Sequence, residues 1–205
     1  MHVTARFRML AIGAAAAAMM ATPVAAQTTG EKVLITAFAV NMSNIGTGAN
    51  AQVQIYVDKW STEAERELLI TTMVNKGPKD LLNVLQKQPL KGRFQIPAIS
   101  GPDPHHLRLG LQLRYAWQAP LPEGGRRIVL AADRYIGMAE AQQQPRTIDY
   151  PFTLFEIRVN KDGEGEGKLA YATKIRFDKD KKVLEIENYS SEPVRLNNVK
   201  VKART

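Results

Sequence analysis

The chain has 205 residues, 28 basic against 20 acidic side chains, a net charge of +8 and no cysteine. Without cysteine there is no disulfide, no thiolate nucleophile, no cysteine–zinc centre and no lipid attachment through an N-terminal cysteine. The length suits one domain with its own core, and the basic excess is spread along the chain without the aromatic–basic patch that binds nucleic acid.

Residues 1–26 carry Arg6 and Arg8, then an apolar, alanine-rich run over 9–21, then small residues at Val24 and Ala26. This order predicts a cleavable signal peptide cut before Gln27, and so a periplasmic or secreted protein. The run is short of the roughly 20 residues that span a bilayer. Residues 27–205 then form a single antiparallel β domain, with 26 basic and 20 acidic groups and a charge near +6. No later run is long and apolar enough for a transmembrane helix.

"VLITAFAV" (33–40) reads as a strand with apolar residues on both parities, hence a central or doubly covered one. After a glycine–asparagine loop, "AQVQIYVDKW" (51–60) alternates, with Val53, Ile55 and Val57 inward. The two strands predict a hairpin with a long connection. A helical hairpin follows at about 61–87. Thr62 with Glu65 three residues on forms a capping-box pattern, and acidic residues in the first turn suit the helix dipole. Leu69, Met73, Ile70 and Val74 give the first helix its apolar stripe; Gly77 and Pro78 stop it; Leu81, Leu82 and Leu85 are the stripe of the second.

Strands resume at "GRFQIPA" (92–98), and "LRLGLQLRYAW" (107–117) then alternates. Leu107, Leu109, Leu111, Leu113, Tyr115 and Trp117 share one parity, which predicts one apolar face. "RRIVLAADR" (126–134) is a further strand after a proline–glycine turn, and 135–146 is ambiguous. The stretches 149–160, 168–178, 182–190 and 193–203 read as a four-strand meander. One hairpin there can be registered. With "KDKK" (179–182) as the loop, Arg176 faces Glu185 and Lys174 faces Glu187 on one side. Phe177 then faces Leu184, and Ile175 faces Ile186, on the other. A slip of one residue destroys both the charge pairing and the apolar pairing, so the register is fixed.

About eight or nine such strands predict a mainly β fold: an antiparallel β-sandwich or a small closed β-barrel with an inserted helical hairpin. A lipid-spanning barrel is disfavoured by the helical interruption, the short strands and the C-terminal "KVKART", which lacks a terminal aromatic. The leucine row is expected to pack in the core or to border an apolar cavity, with Tyr115 and Trp117 at its mouth.

Motifs that carry chemistry are sparse. His105 and His106 with Asp103 fall short of a zinc site. Asn160, Asp162 and Glu164 in "NKDGEGEG" loosely match a calcium loop, but its twelfth position is Tyr171 instead of a bidentate Glu, so a glycine-rich turn is the expected reading. No serine sits in a nucleophile elbow, and "GTGAN" lies between strands, where it cannot cradle phosphate. No cofactor is called for.

In "AFAVNMSNIGTGANAQVQIYVDKWSTEAER", "PLPEGGRRIVLAADRYIG" and "RTIDYPFTLFEIRVNKDGEGEGK" the chain resembles a family of uncharacterised exported bacterial proteins. The resemblance spans nearly all of residues 27–205 and implies one intact module, with no activity or site residue to transfer. The expectation is a non-catalytic binding protein for an apolar small molecule or an anionic cell-envelope component. The alternatives are an envelope interaction protein acting through its surface, including its basic C-terminal strand, and a hydrolase whose carboxylates assemble only in three dimensions.

Overall fold

The computed structural model describes residues 31–40, 50–97, 111–133, 152–171, 175–178, 183–186 and 194–204. The signal segment, His105, His106, Asp103, Leu107 and Leu109 lie outside these residues. Eight strands close into a barrel in the order β1-β10-β7-β6-β5-β4-β3-β2. They are β1 (Val33–Val40), β2 (Asn50–Val57), β3 (Gly92–Gln95), β4 (Leu111–Pro120), β5 (Arg126–Ala132), β6 (Thr153–Val159), β7 (Glu164–Tyr171) and β10 (Val194–Ala203). Every described pairing is antiparallel. The barrel thus replaces the sandwich alternative.

Two helices, α1 (Glu63–Lys76) and α2 (Pro78–Lys87), are inserted between β2 and β3, as the sequence predicts. The capping box is formed: Glu65 N–H donates to Thr62 Oγ1 at 3.2 Å, and Thr62 N–H to Glu65 Oε2 at 2.8 Å. Gly77 joins the helices at φ 85°, a left-handed value that favours glycine. Leu69, Leu81 and Leu85 are buried, but Val74 is 41% exposed and so lies off the stripe assigned to it.

The C-terminal meander does not form as expected. The stretch 168–178 is divided between β7, which belongs to the barrel, and β8 (Ile175–Asp178), which pairs with β9 (Val183–Ile186) in a separate two-stranded sheet. β10 then returns to pair with β7 on one side and β1 on the other, closing the barrel. Within the β8–β9 hairpin the predicted register holds, with Ile175 opposite Ile186, Arg176 opposite Glu185 and Phe177 opposite Leu184. Lys174 and Glu187 lie outside the described residues.

The barrel interior is filled by side chains. Ile35, Ile55, Leu113, Ile128, Leu130, Phe155, Ile157, Leu169 and Leu196 are each 0% exposed, and Phe94 stacks on Phe155 with ring centroids 5.4 Å apart. Fully burying each such side chain is worth about 1.5–3 kcal/mol. Gly92 sits where the wall is tightest: a Cβ there would lie 1.9 Å from the Tyr56 carbonyl oxygen, and one at Gly165 2.0 Å from that of Arg158. On the outer wall Arg158, Glu164, Glu166, Arg195, Lys200 and Lys202 are exposed. Apolar inside and charged outside is the reverse of a wall that meets lipid.

β1 is central rather than doubly covered: it pairs with β10 on one side and β2 on the other. Val33, Ile35, Ala37 and Ala39 face the core, while Phe38 on the other parity is 41% exposed. The doubly covered strand is β6. Phe155 and Ile157 face inward, and Leu154, with Phe152 just before the strand, is buried beneath the helices.

Candidate binding site

The alternation of the leucine row breaks within β4. Leu113 pairs with Ala132, but Tyr115 pairs with Ala131, so the register shifts by one residue between them. Beyond this bulge Ala116 and Gln118 are the buried residues, at 0% and 6% exposure. Tyr115 and Trp117 therefore point to the outer wall, away from Leu111 and Leu113. The expectation that all of these share one face is corrected here. A bulge re-aims side chains in this way, and four hydrogen bonds hold it. Arg114 donates from Nε to Asp133 Oδ2 at 3.0 Å and from Nη1 to the Gln88 carbonyl at 3.0 Å. Ser61 N–H donates to the Ala116 carbonyl at 2.7 Å, and Ala116 N–H to Ser61 Oγ at 3.2 Å.

The same contacts fasten the helical hairpin at its roots. Lys91, 4% exposed, reaches both carboxylate oxygens of Glu65 at 2.7 and 2.8 Å. Burial alone would raise the Glu65 pKa, but the bonds from Lys91 and Thr62 outweigh it and leave it below the usual carboxylate range. At the far end of the hairpin, nothing lies within 4 Å of where a Gly77 Cβ would be.

Between the helices and the outer wall of β4, β5 and β6 lies an apolar crevice of about 60 Å³. Leu69, Leu81, Leu85, Ala131, Phe152 and Leu154 form a buried cluster of their own, separate from the barrel core, and all six line the crevice with Ile70 and Val129. At this size the crevice has room for about two waters, yet most of its lining offers water no partner.

Arg66, Tyr115, Arg127 and Glu156 supply the polar lining. Burial pushes the Tyr115 hydroxyl well above its ordinary pKa; nearby Arg66 and Arg127 offset part of this and Glu63 adds to it. Glu156, 9% exposed, has Arg127 Nε at 3.0 Å, Arg158 Nη2 at 3.3 Å and Lys168 Nζ at 3.6 Å. Burial would raise its pKa, but Arg127, Lys168 and Arg158 together hold it below the usual range, so it stays ionised near neutral pH. The Arg127 Nε, although close to the carboxylate, is not aligned to donate a hydrogen bond and is buried without a partner. Arg66 lies 5.0 Å from the Trp117 ring centroid, a cation–π contact beside the crevice.

The chain matches no protein-family model, no curated protein and no solved structure. Its chemistry is thus read from its own geometry.

Of the two residues singled out for a ligand, Tyr115 lines the crevice and Trp117 lies beside it under Arg66. Sequence reasoning missed Arg66, Arg127, Phe152, Leu154 and Glu156. The signal for two of these was present, since "PFTLFEI" is apolar on both parities. The loose calcium-loop residues are engaged otherwise. Asn160 Oδ1 accepts from the N–H groups of Asp162 at 2.9 Å and Glu164 at 3.0 Å, and Glu164 lies in β7 with Lys200 Nζ at 3.2 Å. Among the described residues no group of three histidine, aspartate or glutamate side chains could hold a metal ion. The buried carboxylates, Asp133 and Glu156, each have an arginine at 3.0 Å. An ion-paired carboxylate of lowered pKa, such as Glu156, is a poor general acid.

Proposed function

We propose that this is an exported, non-catalytic binding protein that takes an apolar group into the crevice between its helical hairpin and the outer barrel wall. The observation that carries this reading is the crevice itself, whose lining includes eight apolar side chains on one side of a barrel with a packed interior. The hairpin is fastened at residues 61–65 and 88–91, and its Gly77 tip is unpacked, so it can lean outward on its roots to admit a chain. Small-molecule sites are usually apolar pockets of about 300–1,000 Å³ with a few placed polar groups, so the crevice, about 60 Å³ as it stands, takes an alkyl chain only with the hairpin leaning outward. Exposed Arg195, Lys200 and Lys202 on β10 favour a second reading, contact with an anionic envelope surface.

Titration calorimetry with 1-octanol tests the first reading. The expected result is saturable binding that is lost in Ala131→Leu, where the added side chain fills the crevice from the wall. Binding that Ala131→Leu leaves unchanged, or no binding at all, overturns it.

A further inference from the structure

We infer that the ligand of this crevice is an anionic amphiphile, with its alkyl chain under the helices and its carboxylate or phosphate head on the outer face of β6, β7 and β10. The inference rests on the crevice reading above and adds the head group to it.

The crevice does not end at a neutral rim. Glu156 lines it and also lines an open groove of about 450 Å³ on the neighbouring strands, with Arg158, Glu166, Lys168, Arg195 and Asn197. The strand register makes the two continuous. Trp117 is opposite Val129, Val129 opposite Glu156, Glu156 opposite Lys168, and Lys168 opposite Arg195. One cross-strand row therefore runs from the apolar crevice to the charged groove. From Val129 to Lys168 or Arg195 is two or three strand spacings, about 10–14 Å.

The charges on and beside this row are unbalanced towards an anion. Arg127, Arg158, Lys168 and Arg195 face two carboxylates, Glu156 and Glu166. Glu156 alone is shared by Arg127, Arg158 and Lys168. Lys168 and Arg195 stand directly opposite each other on adjacent strands. Like charges so placed are destabilising. Among the described residues Arg195 has no ion pair of its own. An anion between Lys168 and Arg195 removes their repulsion and pairs Arg195 in charge-assisted hydrogen bonds. The exposed Asn197 amide, also lining the groove, adds a neutral donor.

The test compares octanoate, 1-octanol, acetate and inorganic phosphate by titration calorimetry on the full exported chain. Octanoate is expected to bind about tenfold more tightly than octanol, with the margin shrinking as salt is raised. Lys168→Gln with Arg195→Gln, both on the outer wall, is expected to erase that margin and leave octanol binding unchanged. Equal affinity for octanol and octanoate overturns the head-group assignment while the crevice reading stands. So does a margin that survives the double substitution. Acetate or phosphate binding as tightly as octanoate points to a separate anion site and overturns the amphiphile. If neither eight-carbon probe binds, the crevice reading fails and this inference falls with it.

Discussion

The molecule has two apolar regions of nearly the same composition, and they differ in how their walls are held. The barrel interior is enclosed by eight strands hydrogen-bonded to one another all round, and its residues are at or near 0% exposure. The layer under the helices has six buried residues, one rigid wall and one wall of two short helices fastened at their roots. The first region cannot open without breaking strand pairs; the second is closed on one side only by the helices and the contacts at their roots. Where an apolar surface can be exposed and covered again depends on this fastening more than on the side chains themselves.

Substitution can break or sharpen that contrast. The largest effect is expected inside the barrel: Phe155→Ala should cost about 3–5 kcal/mol in urea unfolding, because the closed wall cannot collapse onto the space left. Leu85→Ala beneath the helices should cost about 2 kcal/mol, the low end for leucine, because α2 can settle inward. Equal losses at the two sites would mean that the regions are equally rigid. Lys91→Met should cost about 2 kcal/mol and speed amide exchange in α1 and α2 while β5 and β6 stay protected, since it leaves the Glu65 carboxylate without its cationic partner.

Titration reports on the helix-covered side of the barrel, where Glu65, Tyr115 and Glu156 all lie. Glu65 and Glu156 both have pKa values below the usual carboxylate range when folded. The stability they contribute is present above their unfolded pKa of about 4.3 and is lost as pH falls through the folded values. Glu156→Gln should therefore flatten the acid limb of stability against pH. Tyr115 acts at the other extreme. Its folded pKa is raised, so its contribution is full below about pH 10 and is lost as pH rises towards the folded value. Tyr115→Phe should change neutral-pH stability least of all, by about 0.5 kcal/mol, and remove that alkaline limb.

The legible parts of the fold were those set by local patterns. The capping box at Thr62 and Glu65, the Gly77–Pro78 joint and the β8–β9 register all follow from residues close in sequence. The bulge in β4 does not. The leucine row alternates without a break through Leu113, Tyr115 and Trp117, and the shift is imposed by distant partners, Ser61, Gln88 and Asp133. Which strand is covered on its outer face is hidden for a similar reason. Both β1 and β6 are apolar on both parities, and only the position of the inserted helices decides that Leu154 is covered while Phe38 is not. The crevice thus lay half in view: its aromatic at Tyr115 was read from the sequence, its face was not.

Crystals pressurised with xenon test the central claim most directly, because xenon enters apolar cavities that water leaves empty. The account predicts a xenon site between Leu69, Leu85 and Phe152, beside the Tyr115 ring, and none within the barrel. A site among Leu113, Ile128 and Phe155, or a Tyr115 ring found inside the barrel with the leucines, would contradict it.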